Sequence, residues 1–490
     1  MDFRSNITKL LQPLTKEEIH GLKKFISSPY FNTNKNISDI FDELIKFHPK
    51  FESKNLNKEY IYSKVFKGKP FNDSNMRWIL SEITHLTENY FAQKRFDNNK
   101  LLKEFYISEE FVNRMDEGRL KKSVNAMKAE LKNAPDKDYM YFFYKYLCQS
   151  NELNEVSLFK KDKKAKEMDL FFDIYLKSFV SYINHFIIGI TFDYLTATSL
   201  ASKYLKNGIS KKINELVKLF NFEKIAEFME EKNEDAEQIR ATVNMLNMHL
   251  YPDNDSLYED FKNYIVKNER GIGTEELSGF YHQLVSYLRI KIIRSKNKNY
   301  FRNELYMISD YLFKNNLHFN QRTQSLNQVL YKLTLLNTLE LEKTEEAEKF
   351  IMKYSEEISE NHKDDAKNFS NAYLSFYKKD FDKALDFMNE TKANFFFTDQ
   401  KILKIACFTE MAYKDECANE VKSFKKYLKT SKFLSAETKA TYNKFLFFIP
   451  YLCRSGKGKN FLSKKKLLEN LQDVNAIYLT SWLKSKIDGL

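Results

Sequence analysis

Helix breakers are scarce in this chain: proline and glycine together occupy 18 of 490 positions, and the apolar residues between them recur at steps of three and four. That spacing belongs to helices buried along one face. Leu277, Phe280, Tyr281, Leu284, Leu288 and Ile292, for example, fall on one side of a single predicted helix. A strand pair needs alternation bounded by glycine or Asn-Gly turns. Asn207-Gly208, the one such dipeptide, sits between helix-like runs and reads as a helix C-cap. Abundant Lys, Asn, Ile, Phe and Tyr with little Arg also fit a nucleotide bias, so the all-α reading rests on periodicity, which that bias does not create.

Three regions follow. Residues 1–100 hold four of the seven prolines (Pro13, Pro29, Pro49, Pro70), which predicts a compact N-terminal module of short helices with tight corners. Thr15 and Glu18 form a capping box for a helix running toward Ser27. Asn57 caps another helix, and a longer one carries Trp78, Ile79, Ile83 and Leu86. Two corners, Ser28-Pro29-Tyr30-Phe31-Asn32 and Lys69-Pro70-Phe71-Asn72-Asp73, pair a proline with an aromatic that pins the turn to the core. The pair of helices around the second corner is also the rival candidate for a DNA-reading helix-turn-helix, with Asn75 and Arg77 near the start of its second helix. Residues 101–270 read as irregular helical hairpins, with the run Tyr139 to Tyr146 as a central helix rather than a base-stacking platform.

Residues 271–490 carry an internal repeat. Ala372 and Ala384 recur as Ala406 and Ala418, a shift of 34 residues, and each pair supplies the small side chains that let two antiparallel helices approach. The run Tyr377-Lys378-Lys379-Asp380-Phe381-Asp382-Lys383-Ala384-Leu385 resembles the turn and second-helix start of a tetratricopeptide repeat. In the second copy Asp415 and Asn419 replace Phe381 and Leu385, so that copy is degenerate or slipped by one residue; Ala440 keeps the period, but Pro450 is expected to break a third copy. The Ser28 to Asn32 segment together with these repeats resembles a group of uncharacterised bacterial proteins of similar length. The expected architecture is therefore an N-terminal helical module followed by an α-solenoid of helical hairpins, tetratricopeptide-like near the C-terminus, and the resemblance implies no site residues.

Catalytic and metal signatures are not found. The eight histidines are scattered without a His-Glu-x-x-His pattern or a partner at i+3 or i+4. Gly271-Ile272-Gly273 lacks the strand and third glycine of a dinucleotide loop. No phosphate loop or nucleophile elbow occurs. No enzyme activity and no cofactor are expected. Cys148, Cys407, Cys417 and Cys453 lack a Cys-x-x-Cys pair and are too few for a disulfide framework. The N-terminus has no secretory leader, and Phe179 to Leu195, the most apolar stretch, is interrupted by Asn184, His185 and Asp193. A cytoplasmic protein without a membrane partner is the expectation.

Charge is the feature with functional content. Residues 421–490 hold 15 Lys or Arg against 4 Asp or Glu, whereas the other 420 residues nearly balance at 64 against 63. Lys422, Lys425, Lys426 and Lys429 fall on one helical face, and Arg454, Lys457, Lys464, Lys465 and Lys466 form a second cluster. The acidic runs Glu223 to Glu237 and Glu340 to Asp365 read as solvated helix faces. The favoured function is a non-enzymatic adaptor binding a protein or peptide segment in a helical-repeat groove. The alternative is a nucleic-acid-associated protein using the C-terminal lysines on a polyanion. That alternative predicts polyanion binding that weakens steeply between low and physiological salt and vanishes when Lys422, Lys425, Lys426 and Lys429 all become Glu; nuclease-treated protein that retains no nucleic acid at low salt would remove it.

Overall fold

The computed structural model describes residues 6–53, 55–134, 137–159, 165–203, 207–230, 234–295, 297–320, 325–391, 397–432, 434, 436–453, 462–472 and 479–490. Within them the fold is all-α, with one two-residue antiparallel pairing between β1 (Phe319–Asn320) and β2 (Ser325–Leu326). The chain forms two compact units, one of Met1–Ala134 with Tyr144–Ser178, the other of Pro135–Phe143 with Phe179–Leu490.

The first unit opens with α1 (Asn6–Leu11), α2 (Lys16–Ile26), α3 (Lys35–Ile45), α4 (Lys58–Val65) and α5 (Asp73–Asn98). Their apolar faces meet in one core that includes Leu22, Ile26, Ile40, Phe41, Ile61, Met76, Ile79 and Ile83. Local chemistry sets where each helix starts. Both halves of the Thr15–Glu18 capping box are made, and Asn34, Asn57 and Asn72 accept backbone N–H bonds at the starts of α3, α4 and α5. At the first corner Phe31 stacks on Phe25 with ring centroids 3.9 Å apart. Asn32 braces the same corner, donating to the Ile26 carbonyl at 2.9 Å and accepting from the Asn34 N–H at 2.9 Å. Tyr30 points outward, 88% exposed. At the second corner Phe71 meets Tyr62 edge-on at 5.4 Å.

The core that a DNA-reading helix-turn-helix needs there is not made at Trp78. Trp78, needed in its core, is 48% exposed; Asn75 donates to the Tyr62 hydroxyl at 3.3 Å, and Arg77 pairs with Asp73. The unit continues through the hairpin of α6 (Lys100–Asn113) and α7 (Glu117–Lys132) and takes in parts of α8 (Tyr139–Phe159) and α9 (Ala165–Lys203).

The second unit takes the remaining parts of α8 and α9, then α10 (Asn207–Val217), α11 (Phe222–Met229), α12 (Ala236–Leu250), α13 (Asp255–Asn268), α14 (Thr274–Arg294) and α15 (Lys298–Lys314). Asn207-Gly208 opens α10 rather than closing a helix, because the chain resumes its helical hydrogen bonding at Asn207. Further along come α16 (Gln328–Glu340), α17 (Thr344–Tyr354), α18 (Lys363–Tyr377), α19 (Phe381–Glu390), α20 (Phe397–Glu410), α21 (Lys414–Thr430), α22 (Ala436–Leu452), α23 (Lys464–Gln472) and α24 (Thr480–Asp488). Each helix from α11 to α22 packs on the next, and α16, α18 and α20 also pack on one another in turn. This is an α-solenoid of helical hairpins, with one continuous apolar core from Phe142 to Ile487. Buried tyrosines bind its layers across helices: Tyr258 donates to Glu304 at 2.7 Å and Tyr287 to Asp255 at 2.8 Å. Pro450 lies inside α22, which runs on to Leu452.

The turns explain how hairpins form with so little glycine. Met115, Asn316, Glu342, Lys379 and Ala412 all have φ between 55° and 64°. Each ends a helix in the same way: its N–H bonds to the carbonyl three residues back, and the next N–H to the carbonyl five before it, as in Lys379 to Phe376 and Asp380 to Ser375. These are Schellman turns, usually given to glycine because a Cβ is strained there.

Counting from the left-handed residue sets the packing register. The fifth residue onward is buried in every described case: Leu120, Ala347, Ala384 and Cys417. Cys417, not Ala418, therefore takes the place of Ala384 in the next hairpin, and Ala418 faces solvent. Ala372, Ala384 and Ala406 are fully buried as expected. The left-handed residues Lys379 and Ala412 stand one residue closer than the alanine period, and the second helix turns with them. Ala412→Gly should relieve about 1–2 kcal/mol of Cβ strain against about 0.4–1 kcal/mol of added unfolded-chain freedom. A raised urea midpoint is expected; a lowered one would show that Ala412 does not hold this conformation in solution.

Candidate interaction surfaces at the C-terminal end

Helix α21 carries the predicted stripe. Lys422, Lys425, Lys426 and Lys429 are all exposed, within an arc of about 100° on a helix of 3.6 residues per turn. Phe424 and Leu428 bury the opposite side. Glu420, a carboxylate of the same helix, is turned away to pair with Lys401 of α20 at 2.6 Å, so it does not neutralise the stripe. Arg454 and Lys457 lie outside the described residues. Lys464, Lys465 and Lys466 begin α23 and are exposed, but Lys464 reaches back to the Asp488 carbonyl at the end of α24. Lys464 is thus tied to the fold, where a cation suits a helix C-terminus.

A second surface was hidden from sequence reasoning. Helix α24 packs on α23 and α22, and its side chains reach the C-terminal ends of α16, α18 and α20, the first helices of three consecutive hairpins. Leu479, Leu483 and Ile487, four residues apart, are fully buried. The Trp482 ring lies 6.1 Å from Phe376 and 6.2 Å from Phe445, and its indole N–H donates to Glu410 Oε1 at 2.6 Å. Lys486, one turn on, pairs with the other oxygen of Glu410 at 2.6 Å.

The anchor at the other end is Glu340, the last residue of α16. The acidic run Glu340 to Asp365 predicts a solvated face, but the Glu340 side chain is 1% exposed. Its carboxylate accepts the Leu479 backbone N–H, the Ser481 hydroxyl at 3.0 Å and the Tyr377 hydroxyl at 2.9 Å, and faces Arg302 of α15 at 3.2 Å. Asn337 holds Arg302 in place by donating to its carbonyl at 2.9 Å. Leu479, with no side-chain oxygen, gives α24 no side-chain cap, and Glu340 instead fixes the backbone that enters the helix. Burial, then the Glu340 charge, push the Tyr377 phenol well above its usual range, so it stays a donor. The local signal was the spacing of Leu479, Leu483 and Ile487; what they dock against was not readable.

His249 is pushed down to about 4 by burial, and its Nε2 has no partner. His318 Nε2 lies 2.8 Å from Glu357, and burial followed by the charge of His318 lowers His282. No group of three or more His, Cys, Asp or Glu able to hold a metal occurs among the described residues. No helix among them is long and apolar enough to cross a membrane.

Comparison with protein-family models, with curated proteins and with solved structures returned no match.

Glu340→Ala strands the Arg302 guanidinium without its counter-charge, a change that costs about 3–5 kcal/mol. Hydrogen-exchange protection of residues 479–488 should collapse with it. Pairing Arg302→Met with Glu340→Leu should recover most of the stability but not that protection; unchanged protection in both variants would remove Glu340 as the anchor.

Proposed function

We propose that this protein is a non-enzymatic, cytoplasmic adaptor of tetratricopeptide-like hairpins that holds an amphipathic helical segment across the ends of α16, α18 and α20. The observation that carries this reading is the seating of α24. It uses an apolar stripe, a central Trp and a flanking Lys against two carboxylates, Glu340 and Glu410, presented by a preformed row of helices. Such a row loses little on binding because it is already ordered. The recognised partner then has the chemistry of α24: apolar residues every fourth position, a Trp or other aromatic at the centre, and a cation one turn beyond. The four cysteines are free thiols, the state a reducing compartment maintains.

Leu483→Glu in the full chain should release the protein's own helix by placing a charge at a fully buried position. A labelled peptide of residues 479–490 is then expected to bind that variant, and to lose at least tenfold in affinity when Glu410→Ala is added. If the peptide does not bind a folded Leu483→Glu chain, the groove does not accept segments from outside and the adaptor reading fails.

The exposed, unneutralised lysines of α21 favour one second reading, a polyanion contact. The charge-reversal and salt series given with the sequence decides it.

A further inference from the structure

Two of the cysteines meet although 36 residues separate them. Cys417 closes the first turn of α21 at the register position that two other hairpins give to alanine, and Cys453 directly follows α22. Their sulfurs lie 3.4 Å apart, and Thr409 Oγ1 of α20 stands 3.6 Å from one and 3.7 Å from the other. Cys417 is buried and Cys453 is partly exposed. A disulfide requires about 2.05 Å between sulfurs, so closure asks for a movement of only about 1.4 Å.

We propose that Cys417 and Cys453 form a reversible thiol–disulfide site that responds to a small hydroperoxide and, when oxidised, locks the lysine-bearing α21 to the end of α22. The asymmetry in exposure assigns the two roles. Cys453, reachable from solvent, is the attacking sulfur. Hydrogen bonding from the Cys417 thiol holds Cys453 down to about 6 against the opposing effect of burial, with Thr409 and the Lys414 charge adding to it. Cys417 is correspondingly raised, first by that hydrogen bond and then by burial, and remains a thiol.

The chemistry balances without a further group. The Cys453 thiolate attacks one peroxide oxygen; an S–O bond forms, the O–O bond breaks, and hydroxide leaves to become water. The Cys417 sulfur then attacks the Cys453 sulfenic acid; the S–S bond forms, the S–O bond breaks, and a second water leaves with the Cys417 proton. Two thiols are oxidised and one peroxide is reduced. A small thiol reverses the step by exchange. Cys148 and Cys407 are buried without a partner sulfur, and burial pushes each up to about 12, so both stay inert.

The test uses the full chain treated with equimolar hydrogen peroxide at neutral pH, quenched with N-ethylmaleimide and digested without reduction. The expected product is a peptide pair joined through Cys417 and Cys453, lost on adding dithiothreitol, with Cys148 and Cys407 recovered as thiols. Cys417→Ser should leave Cys453 as a sulfenic acid trapped by dimedone, and the midpoint of its iodoacetamide reactivity should rise toward the ordinary thiol range. Cys453→Ser should leave Cys417 unreacted. Circular dichroism confirms that each variant is folded. Failure of the linked pair to form in the folded wild-type chain, or equal oxidation of all four cysteines, would overturn the proposal.

Discussion

A carboxylate shut off from water organises the C-terminal half of this protein. Glu340 ends one helix, faces a guanidinium from the helix before it, accepts a phenol from the next hairpin and fixes the backbone entering a helix about 140 residues further on. Buried ion pairs add little net stability because desolvation offsets their attraction. What this one adds is specificity, since moving α24 from its seat would take the Leu479 N–H and the Ser481 hydroxyl from Glu340 and the Trp482 indole from Glu410. The apolar faces of the hairpins would tolerate many arrangements of the last helix, and Glu340 admits one.

The two surfaces at this end of the chain differ in kind. The lysine face of α21 is simple: exposed, of one sign, and kept so because Glu420 turns inward to Lys401. The seat of α24 is mixed, with apolar residues at its centre and charge at each end. A surface of the first kind attracts broadly and from a distance, and one of the second kind selects by shape and by where its few polar groups stand.

The all-α fold was legible because helical periodicity survives any composition: the stripe Leu277 to Ile292 is buried residue for residue, and the Thr15 capping box is made as read. The lysine face was legible for the same reason, since residues three and four apart must neighbour one another. The hairpin turns were not, because they place Glu342, Lys379 and Ala412 where a reader looks for glycine. Nor were Glu340 or the cysteine pair. Each depends on contacts made between distant parts of the chain, and a Glu in an acidic run looks the same whether it meets water or an arginine.

The fixed count from each left-handed residue to the buried position after it has a wider consequence. One residue removed ahead of the turn rotates the following helix by about 100°, and the core is restored when a neighbouring residue, here Cys417 in place of Ala418, takes over the vacated place. Length can therefore drift in such a chain while every layer stays packed. Two descendants of one ancestor could keep the same architecture and share almost no aligned columns.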